Sequence, residues 1–366
     1  MSRAVRRALR ICALGALGWS QAGYPLALTA WRGLRGPHRL RPDPAAALPS
    51  VTLVVTAHDE AAVIEAKVAD CLAQDYPREL LEVVVTDDAS QDGTPELAAR
   101  AGADRVLRNP RGGKVRAQDA AVRASSAAVV AFSDANAMWE AGALRALVAP
   151  FADPRVGEVV GRVTFVNPDG GSNQEGVYWR YEMALRALES DLGSVTAGNG
   201  AIYAVRREAY VEVDPVMGHD LRLPYELVRR GWRVVEARDA RATERMVPSL
   251  EGEGARKRRM MSHAWAIVLR GGLLDPRGWP PRYVLMMVSH RWLRYAAPFL
   301  HLLAFAAGAR RAHLALAAAA AAGPRLGRAG LLARYYVLMQ ASVALGLADH
   351  LRHGTRAEWD AAEGTR

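Results

Sequence analysis

Cysteine is scarce in this sequence, with only Cys12 and Cys71 among 366 residues. Two cysteines are too few for a disulfide framework or for a zinc site built from thiolates, and they indicate a reducing compartment. The chain also contains no H-E-x-x-H and no G-x-S-x-G pattern. Zinc-protease and serine-hydrolase mechanisms therefore have no support in the sequence.

Acidic residues are in the minority, because 48 lysines and arginines face 38 aspartates and glutamates. The net charge of +10 and the isoelectric point near 10.0 imply an anionic partner, such as nucleic acid, anionic lipid or a phosphorylated substrate. The arginines cluster beside apolar helices rather than on an aromatic sheet face, which argues against nucleic acid. A hydrophobic content of 51% is ample for a folded core.

Charge is missing altogether from residues 11–31, a run of 21 residues that ends on Trp31. This length is close to the roughly 20 residues that a helix needs to cross a bilayer. Tyr24 and Pro25 fit poorly with a cleavable signal peptide. Three shorter apolar segments, 295–309, 312–323 and 335–348, are predicted as tilted, re-entrant or interfacial helices. The sequence thus predicts attachment to a membrane without fixing the number of crossings.

Between these ends, residues 50 to about 245 alternate β-branched runs with helical stretches, which predicts a doubly wound α/β domain. Strands are predicted at 51–56, 81–86, 105–107 and 129–133, and helices at 61–71, 95–100, 115–124 and 141–149. The later runs 159–166 and 201–207 are predicted as mixed or antiparallel strands, followed by a helix at 221–230.

Polar residues follow each of the first four predicted strands, in "TAHDE" (56–60), "DDASQDGT" (87–94), "RNPRGGK" (108–114) and "SDAN" (133–136). Ligands bind at this edge of an open parallel sheet. Each acidic residue also has a simpler interpretation as a turn former or helix N-cap. Several carboxylates at one edge repel one another unless a cation lies between them, so Mg²⁺ or Mn²⁺ held together with substrate phosphates is predicted.

Two glycine motifs in this region are weak signals. "RGGK" (111–114) suits the approach of an anion, but Arg108 occupies the first glycine position of a phosphate loop and Val115 follows the lysine. "GNGAIY" (198–203) lacks the third glycine of a dinucleotide-binding fingerprint.

The order of seven segments carries more information than any one of them. "VTLVVTAHDEAAVIEAKVADCLAQDYP", "EVVVTDDASQDGT", "NPRGGKVRAQDAA", "FSDAN", "GNGAIYAVRRE", "HDLRLPYELVRRGWRVV" and "RKRRM" together resemble a family 2 glycosyltransferase of the membrane-bound, cellulose-synthase-like or hyaluronan-synthase-like branch. The resemblance covers about 50–270, and it implies a GT-A-like domain flanked by membrane helices. It divides the chain into a membrane segment and linker (1–49), a catalytic domain (50–270) and C-terminal membrane-associated helices with a tail (271–366).

The resemblance also implies a nucleotide-sugar site of nine residues, namely Thr56, His58, Glu60, Asp87, Asp88, Lys114, Asp134, Arg256 and Arg259. The first three match the nucleoside contacts, and Asp88, with Asp87 beside it, matches the contact to uracil or ribose. Lys114 resembles the basic residue near the nucleotide. Asp134 matches the first position of the D-x-D metal motif, and its second position is Asn136.

For the chemistry, Asp220 matches the family's general base, which takes a proton from the acceptor hydroxyl. The preceding position is His219 instead of a second acid, and a protonated histidine there would lower the pKa of Asp220. A helix N-cap is the simpler role for Asp220. In "RKRRM", Arg256 and Arg259 match arginines that neutralise the leaving diphosphate, and Met260 stands where tryptophan is usual. A basic patch attracted to anionic lipid is the alternative for this segment.

These features predict a metal-assisted, inverting hexosyltransferase on the cytoplasmic side of the plasma membrane. It would move a sugar from a nucleotide-diphosphate sugar to a lipid-linked or saccharide acceptor, in polysaccharide or glycolipid synthesis. A nucleotidyltransferase would need a glycine-rich loop after the first strand, and "TAHDE" lacks one. A catalytically degenerate membrane-anchored binding or scaffold protein is the other alternative, and it is motivated by Asn136, His219 and Met260.

Overall fold

A computed structural model of the chain describes residues 2–166, 174–245 and 250–357. Its centre is one sheet of eight strands in the order β3-β2-β1-β4-β7-β6-β8-β5. The strands are β1 (Val51–Ala57), β2 (Leu81–Asp88), β3 (Arg105–Asn109), β4 (Val129–Asp134), β5 (Met138–Trp139), β6 (Val156–Val166), β7 (Ile202–Arg206) and β8 (Arg233–Arg245). Strands β1 to β4 are parallel, β7 is antiparallel to both of its neighbours, and β8 is parallel to β6.

Thirteen α-helices lie in the described part of the chain. They are α1 (Arg3–Gly18), α2 (Tyr24–Arg35), α3 (Ile64–Leu72), α4 (Thr94–Arg100), α5 (Lys114–Ala124), α6 (Ala143–Val148), α7 (Gln174–Leu192), α8 (His219–Arg229), α9 (Leu250–Arg270), α10 (Pro281–Met286), α11 (Leu293–Ala306), α12 (Arg310–Ala322) and α13 (Gly327–His353). π-helical turns join α1 to α2 at Trp19–Gly23 and α10 to α11 at Met287–Trp292.

The α/β layout predicted from the sequence is confirmed. Strand β1 is buried on both faces, with Leu53 and Val55 in one hydrophobic cluster and Val54 in the other, which explains its unbroken apolar run. Helix α3 begins three residues later than predicted, because the backbone N–H of Val63 bonds Glu60 in a turn. Strand β8 and helix α7 were not predicted.

The N-terminal segment of α1, the π-helical turn and α2 contacts the rest of the protein at several points. Ala13 lies against Ala304 of α11 in a small apolar cluster, and the Trp19 indole N–H donates to Ser289 Oγ at 2.9 Å. Further along, Arg32 forms an ion pair with Asp191 at the end of α7. Helices α1 and α2 are thus part of a helical layer that covers one side of the central sheet.

One buried carboxylate joins three distant parts of the chain. Glu189 of α7 accepts hydrogen bonds from the Tyr24 hydroxyl at 2.8 Å and from both the backbone N–H and the hydroxyl of Thr196, at 3.1 and 2.9 Å. The ring Nδ1 of His290 lies 2.8 Å from the same carboxylate. The start of α2, helix α7 and the π-helical turn before α11 therefore meet at Glu189.

By length and composition, one helical stretch among the described residues is long and apolar enough to cross a membrane, Arg310–His353. It is not straight, because Gly323 and Gly327 have φ values of 49° and 56° and separate α12 from α13. The C-terminal segments 295–309, 312–323 and 335–348 are mostly helical, as expected. Residues 11–31 are also helical but fall outside this stretch, so the membrane crossing expected there stays a prediction.

Candidate active site

The strand register brings the predicted acidic residues to one edge of the sheet. Asp87 at the end of β2 pairs with Ala57 of β1, and Asp134 at the end of β4 pairs with Thr56. Since neighbouring strands lie about 4.8 Å apart, Asp87 and Asp134 flank β1 at a backbone separation of about 10 Å. The strand register therefore confirms the prediction that Asp87 and Asp134 lie at the same edge of the sheet.

The loops that follow β1 and β2 hold each other in place. Asp59 donates its backbone N–H to Ser90 Oγ at 2.8 Å, and its carboxylate accepts from the backbone N–H of Gln91 at 2.8 Å. Asp59 and Ala89 both have positive φ, 51° and 62°, which non-glycine residues rarely adopt. Strained backbone fixed by reciprocal hydrogen bonds is typical of a preformed binding site.

His58 and Glu60 belong to the first of these loops. His58 Nε2 lies 3.4 Å from the carboxylate of Asp59, and Glu60 donates its backbone N–H to Thr94 Oγ1 at 2.8 Å. Both residues therefore lie at the edge where a nucleoside contact was predicted. Their contact with a nucleoside stays a prediction.

The two aspartates of "DD" have different surroundings. The buried Asp88 carboxylate accepts from the backbone N–H groups of Gly112 (2.7 Å) and Gly113 (2.9 Å) and from the Arg111 guanidinium (3.0 Å). Asp88 therefore shapes the "RGG" loop, whose Gly113 needs its φ of +89°. Asp87 Oδ2 accepts from Ser90, whereas its buried Oδ1 has no hydrogen-bond partner among the described residues.

Thr56, like Asp87, has a buried side-chain oxygen, Oγ1, without a hydrogen-bond partner among the described residues. Buried polar atoms without partners are rare in proteins and often mark a place for a ligand. Thr56 and Asp87 are therefore better placed than Asp88 to bind a nucleoside.

Lys114 and Asp134 form an ion pair at the end of β4. Lys114 Nζ also approaches the carbonyl of Gly200 at 3.4 Å, and a Cβ on Gly200 would lie 2.9 Å from this Nζ and 3.6 Å from Asp134 Oδ2. A side chain at position 200 would therefore push the Lys114 ammonium aside. The "GNG" motif, a weak signal in the sequence, thus forms a wall of the site.

The side chains present fit a divalent ion held mainly by the substrate. Among the described residues, no group of three or more His, Cys, Asp or Glu side chains could hold a metal by itself. The Asp134 carboxylate already accepts a cation, the Lys114 ammonium, and Asn136 follows in the turn closed by the Ala137 N–H on Asp134 O at 3.2 Å. One carboxylate, one amide and donor phosphates form a suitable ligand set for Mg²⁺ or Mn²⁺.

Asn136 therefore gives a testable prediction. Asn136→Asp adds a second negative charge beside Asp134, and we expect about tenfold tighter Mn²⁺ binding in the presence of a nucleoside diphosphate. Free Mn²⁺ can be followed by electron paramagnetic resonance during titration. Asn136→Ala is the matched control and should bind Mn²⁺ more weakly than the wild type. Equal affinities in all three proteins would mean that Asn136 does not contact the ion.

Asp220 lies in the first turn of α8, and its side chain is exposed. Its backbone carbonyl accepts the N–H of Gly198 at 2.6 Å. Gly198 and Gly200 belong to one short loop, so this loop contacts the Asp134 region at one end and the Asp220 backbone at the other. The structure therefore brings the predicted metal ligand and the predicted base to the two ends of the same loop.

His219 is turned away from Asp220 and into the core. Its Nδ1 lies 2.9 Å from the Tyr203 hydroxyl and its Nε2 lies 3.2 Å from the Tyr210 hydroxyl. Burial, with a smaller effect from Lys114, lowers the pKa of His219 to about 3. The imidazole is therefore neutral at physiological pH, and the expectation of a protonated histidine acting on Asp220 was wrong.

The hydrogen bonds beneath α8 continue from His219 to a buried acid. Tyr210 donates its hydroxyl proton to Asp119 Oδ1 at 2.6 Å, so its oxygen accepts from His219 Nε2–H. His219 Nδ1 then accepts from Tyr203. The chain of Asp119, Tyr210, His219 and Tyr203 fixes the residue that precedes Asp220.

Asp119 makes the stability of the protein depend on pH. Burial raises its pKa from the usual 3.8 to about 6, although the Tyr210 hydrogen bond opposes the shift. Between these values the folded state binds a proton that the unfolded state lacks, so stability falls as the pH rises through the interval. We expect Asp119→Asn to gain about 2 kcal/mol relative to the wild type between pH 4 and 7, measured by urea unfolding. A pH-independent difference would contradict this prediction, and Asp75→Asn, on the surface, is the control.

Helix α9 brings a basic residue towards Asp220. The ring Nδ1 of His263 lies 3.2 Å from the carbonyl of Val216. Burial lowers the pKa of His263, while nearby Asp220 opposes this shift and Arg259 adds to it. Arg259 and Asp220 are therefore both neighbours of His263, which was not predicted although it lies one helical turn after Arg259.

The other two residues of the "RKRRM" prediction have different outcomes. Arg256 falls within α9, but its side chain lies outside the described residues. The side chain of Met260 is 45% exposed, so it leaves an open apolar surface at the position where tryptophan was expected from the resemblance.

Comparison with known proteins agrees with this geometry. A family model described as glycosyl transferase family 2 matches residues 52–213. The uncharacterized glycosyltransferase Mb0553 of Mycobacterium bovis is 33% identical over 164 residues, which are 42% of this chain and 70% of that protein. Glycosyltransferase AglE of Haloferax volcanii is 26% identical over 178 residues, 47% of this chain and 57% of AglE. The chain spans about half the length of the first curated relatives that it matches.

Among solved structures, the fold is similar to the mannosyltransferase PcManGT from Pyrobaculum calidifontis in complex with GDP-Man and Mn²⁺. The TM-score is 0.73 at 28% identity, over 96% of this chain and 99% of PcManGT. The similarity therefore includes the helical layer as well as the sheet, and it supports a GT-A-like fold.

Proposed function

Because the chain belongs to glycosyl transferase family 2, we propose that it transfers a sugar from a nucleotide-diphosphate sugar to an acceptor hydroxyl, with inversion at the anomeric carbon. The observation that carries this proposal is the loop at 198–200. Gly200 lies against Asp134 and Lys114, and Gly198 bonds the backbone of Asp220. A donor diphosphate and an attacking hydroxyl therefore have adjacent places on one rigid loop.

The residues at the sheet edge have separate roles in this proposal. Thr56 and Asp87 offer buried oxygens to the nucleoside, and His58 and Glu60 line the same loop. Asp88 holds the backbone of the "RGG" loop towards the site. Lys114 offers a positive charge to the diphosphate, and Arg259 offers a second one from α9 as the leaving group departs.

A divalent ion, when bound by Asp134 and Asn136, supplies positive charge that offsets the diphosphate during bond cleavage. Asp220 accepts the proton of the acceptor hydroxyl as its oxygen attacks the anomeric carbon. The exposed position of Asp220 in the first turn of α8 suits this role, since the acceptor arrives from solvent or from a membrane surface.

We further propose that the helical layer rests on a membrane and that the acceptor is lipid-linked or a saccharide presented there. Leu26, Leu302, Leu314 and Leu351, from four helices of this layer, are each more than 60% exposed. Exposed leucines on adjoining helices are typical of a surface that contacts lipid. Attachment to the cytoplasmic side of the plasma membrane, and the branch of the family suggested by the resemblance, are parts of this proposal.

The test is a donor screen on the full chain in neutral detergent. GDP-mannose, UDP-glucose and UDP-N-acetylglucosamine are each incubated with Mn²⁺, with Mg²⁺ and with a chelator, and release of the nucleoside diphosphate is measured. We expect one donor to be turned over and the chelator to stop the reaction. Failure of all donors to raise the melting temperature or to react would contradict the proposal.

One observation favours a second candidate function, binding without turnover. The Lys114 ion pair occupies Asp134, and Asn136 provides no second charge to attract a metal in competition. A catalytically degenerate nucleotide-sugar-binding protein would show donor-dependent stabilisation in the same screen but no nucleoside diphosphate release.

A further inference from the structure

A small cavity lies at the edge of the sheet opposite the candidate active site. It has a volume of about 90 Å³ and is lined by residues that include Gly193, Ser194, Trp232, Arg233, Arg282 and Tyr283. Arg233 begins β8, which is parallel to β6 and therefore runs in the same direction as β1 and β4. The start of β8 is thus about 20 Å, the length of a six-residue strand, from the edge that carries Asp134.

Arg233 is a buried cation that forms no salt bridge with a carboxylate among the described residues, although Asp153 is close enough to oppose the lowering of its pKa by burial. Its side chain is 8% exposed, and its guanidinium donates only to carbonyls, to Gly193 O from Nε and Nη2 at 3.3 and 3.1 Å and to His38 O from Nη2 at 3.4 Å. Its Nη1 is buried and has no acceptor among the described residues. A buried guanidinium normally has an anionic partner, because burial of an unpaired charge is costly.

Arg282 adds a second positive charge to the same place. A Cβ built on Gly193 would lie 3.5 Å from Arg282 Nε, so the two arginines meet on either side of Gly193. Arg282 is exposed at the rim of the cavity and has no salt bridge within the described residues. Two forked guanidinium groups around one cavity match the oxygen geometry of a phosphate.

The cavity is also surrounded by positive charge on the side of His38, in the linker that follows α2. Burial and then the charges of Arg233, Arg282, Arg155 and Arg41 lower the pKa of His38. The buried His38 Nδ1 also lacks a hydrogen-bond partner among the described residues. Only Arg155 in this group has a neighbouring carboxylate as an ion-pair partner, Asp153 at 2.6 Å. The cluster as a whole therefore carries an uncompensated positive charge.

We propose that this cavity binds a phosphate group, held between Arg233 and Arg282. A volume of about 90 Å³ is several times the roughly 10–15 Å³ that one water needs, so a tetrahedral anion has room. The cavity lies where the linker after α2 and the start of α10 join the sheet. A phosphate bound there ties the helical layer to β8, and its source is either free phosphate in solution or the headgroup of an anionic phospholipid. This site is independent of the proposed sugar transfer.

The test compares the wild type with Arg282→Gln and with the matched control Arg100→Gln. Arg100 is an exposed arginine on α4, near the opposite edge of the sheet. In the first arm, melting temperatures of the full chain in neutral detergent are measured with inorganic phosphate and with sodium chloride of equal ionic strength. In the second arm, the micelles contain phosphatidylglycerol or phosphatidylcholine. Phosphate bound at the active site stabilises all three proteins alike. Its effect on the melting temperature therefore cancels when the variants are compared with the wild type.

We expect phosphate or phosphatidylglycerol to stabilise the wild type and Arg100→Gln, and Arg282→Gln to bind the same probe about 10- to 100-fold more weakly. A response to inorganic phosphate identifies free phosphate as a ligand, and a response to phosphatidylglycerol alone identifies the lipid headgroup. Equal responses of the wild type and Arg282→Gln in both arms would overturn the proposal. Because Arg282 is exposed and unpaired, its substitution does not threaten the fold.

Discussion

Replacing Asp220 with asparagine is expected to slow sugar transfer by about 10²–10⁴-fold, the usual contribution of a general base. The amide cannot accept the proton of the acceptor hydroxyl. Donor binding should be retained, because the link to the donor side runs from the Asp220 backbone carbonyl to the N–H of Gly198 and survives the substitution. Turnover is measured by release of the nucleoside diphosphate, and donor affinity by thermal shift.

Asp214→Asn is the matched control for this experiment. Asp214 is an exposed aspartate in the segment that leads into α8, and its carboxylate accepts only the backbone N–H of Val216 in a local turn. Its substitution should leave transfer within about twofold of the wild type. If Asp220→Asn kept most of its activity, the base would have to be another group, and His263 on α9, whose pKa Asp220 influences, would be the next candidate.

Replacing Asp134 with asparagine is expected to abolish the effect of Mn²⁺ on donor binding. The wild type should bind its donor about 10- to 100-fold more tightly with Mn²⁺ than with a chelator, since the carboxylate is the only charged metal ligand proposed. In Asp134→Asn the two affinities should be equal. Isothermal titration of the donor with and without Mn²⁺ measures both.

The effect of losing an ion pair has to be separated from the loss of a metal ligand, because Asp134 also pairs with Lys114. Asp75→Asn removes an aspartate from another ion pair, with Arg145 on the surface, and should leave the response to Mn²⁺ unchanged. Mn²⁺-dependent binding that persists in Asp134→Asn would exclude this aspartate as the metal ligand.

Strands β1, β2 and β4 were predictable because they are largely buried and contain continuous apolar runs. Strand β8 was missed because arginines and acids interrupt the apolar residues of its sequence, "RVVEARDARATER". Its place between β6 and β5 depends on backbone pairing that no local pattern reveals. The prediction of β8 is therefore limited by tertiary context, which the sequence does not show, rather than by the β-propensity of its residues.

In the candidate site, too, some residues could be predicted from the sequence and others could not. Asp87, Asp134 and Asp220 could be proposed from the sequence because they follow strands or begin a helix, positions that sequence patterns mark. The partners of His219 were not found, since Asp119, Tyr203 and Tyr210 approach it only in the folded chain. The direction in which His219 points decides its charge, and a sequence does not give that direction.

The carboxylate of Glu189 has a consequence for how this protein handles acceptors of different sizes. Removing the partners of this buried carboxylate leaves an uncompensated charge, at a typical penalty of about 3–5 kcal/mol in folding free energy. The start of α2, helix α7 and the π-helical turn before α11 are therefore held together at this carboxylate. We therefore expect the proposed acceptor, resting on these helices, to be presented at a constant height relative to the reacting edge, and differences in its chain length to be matched by small shifts of loops.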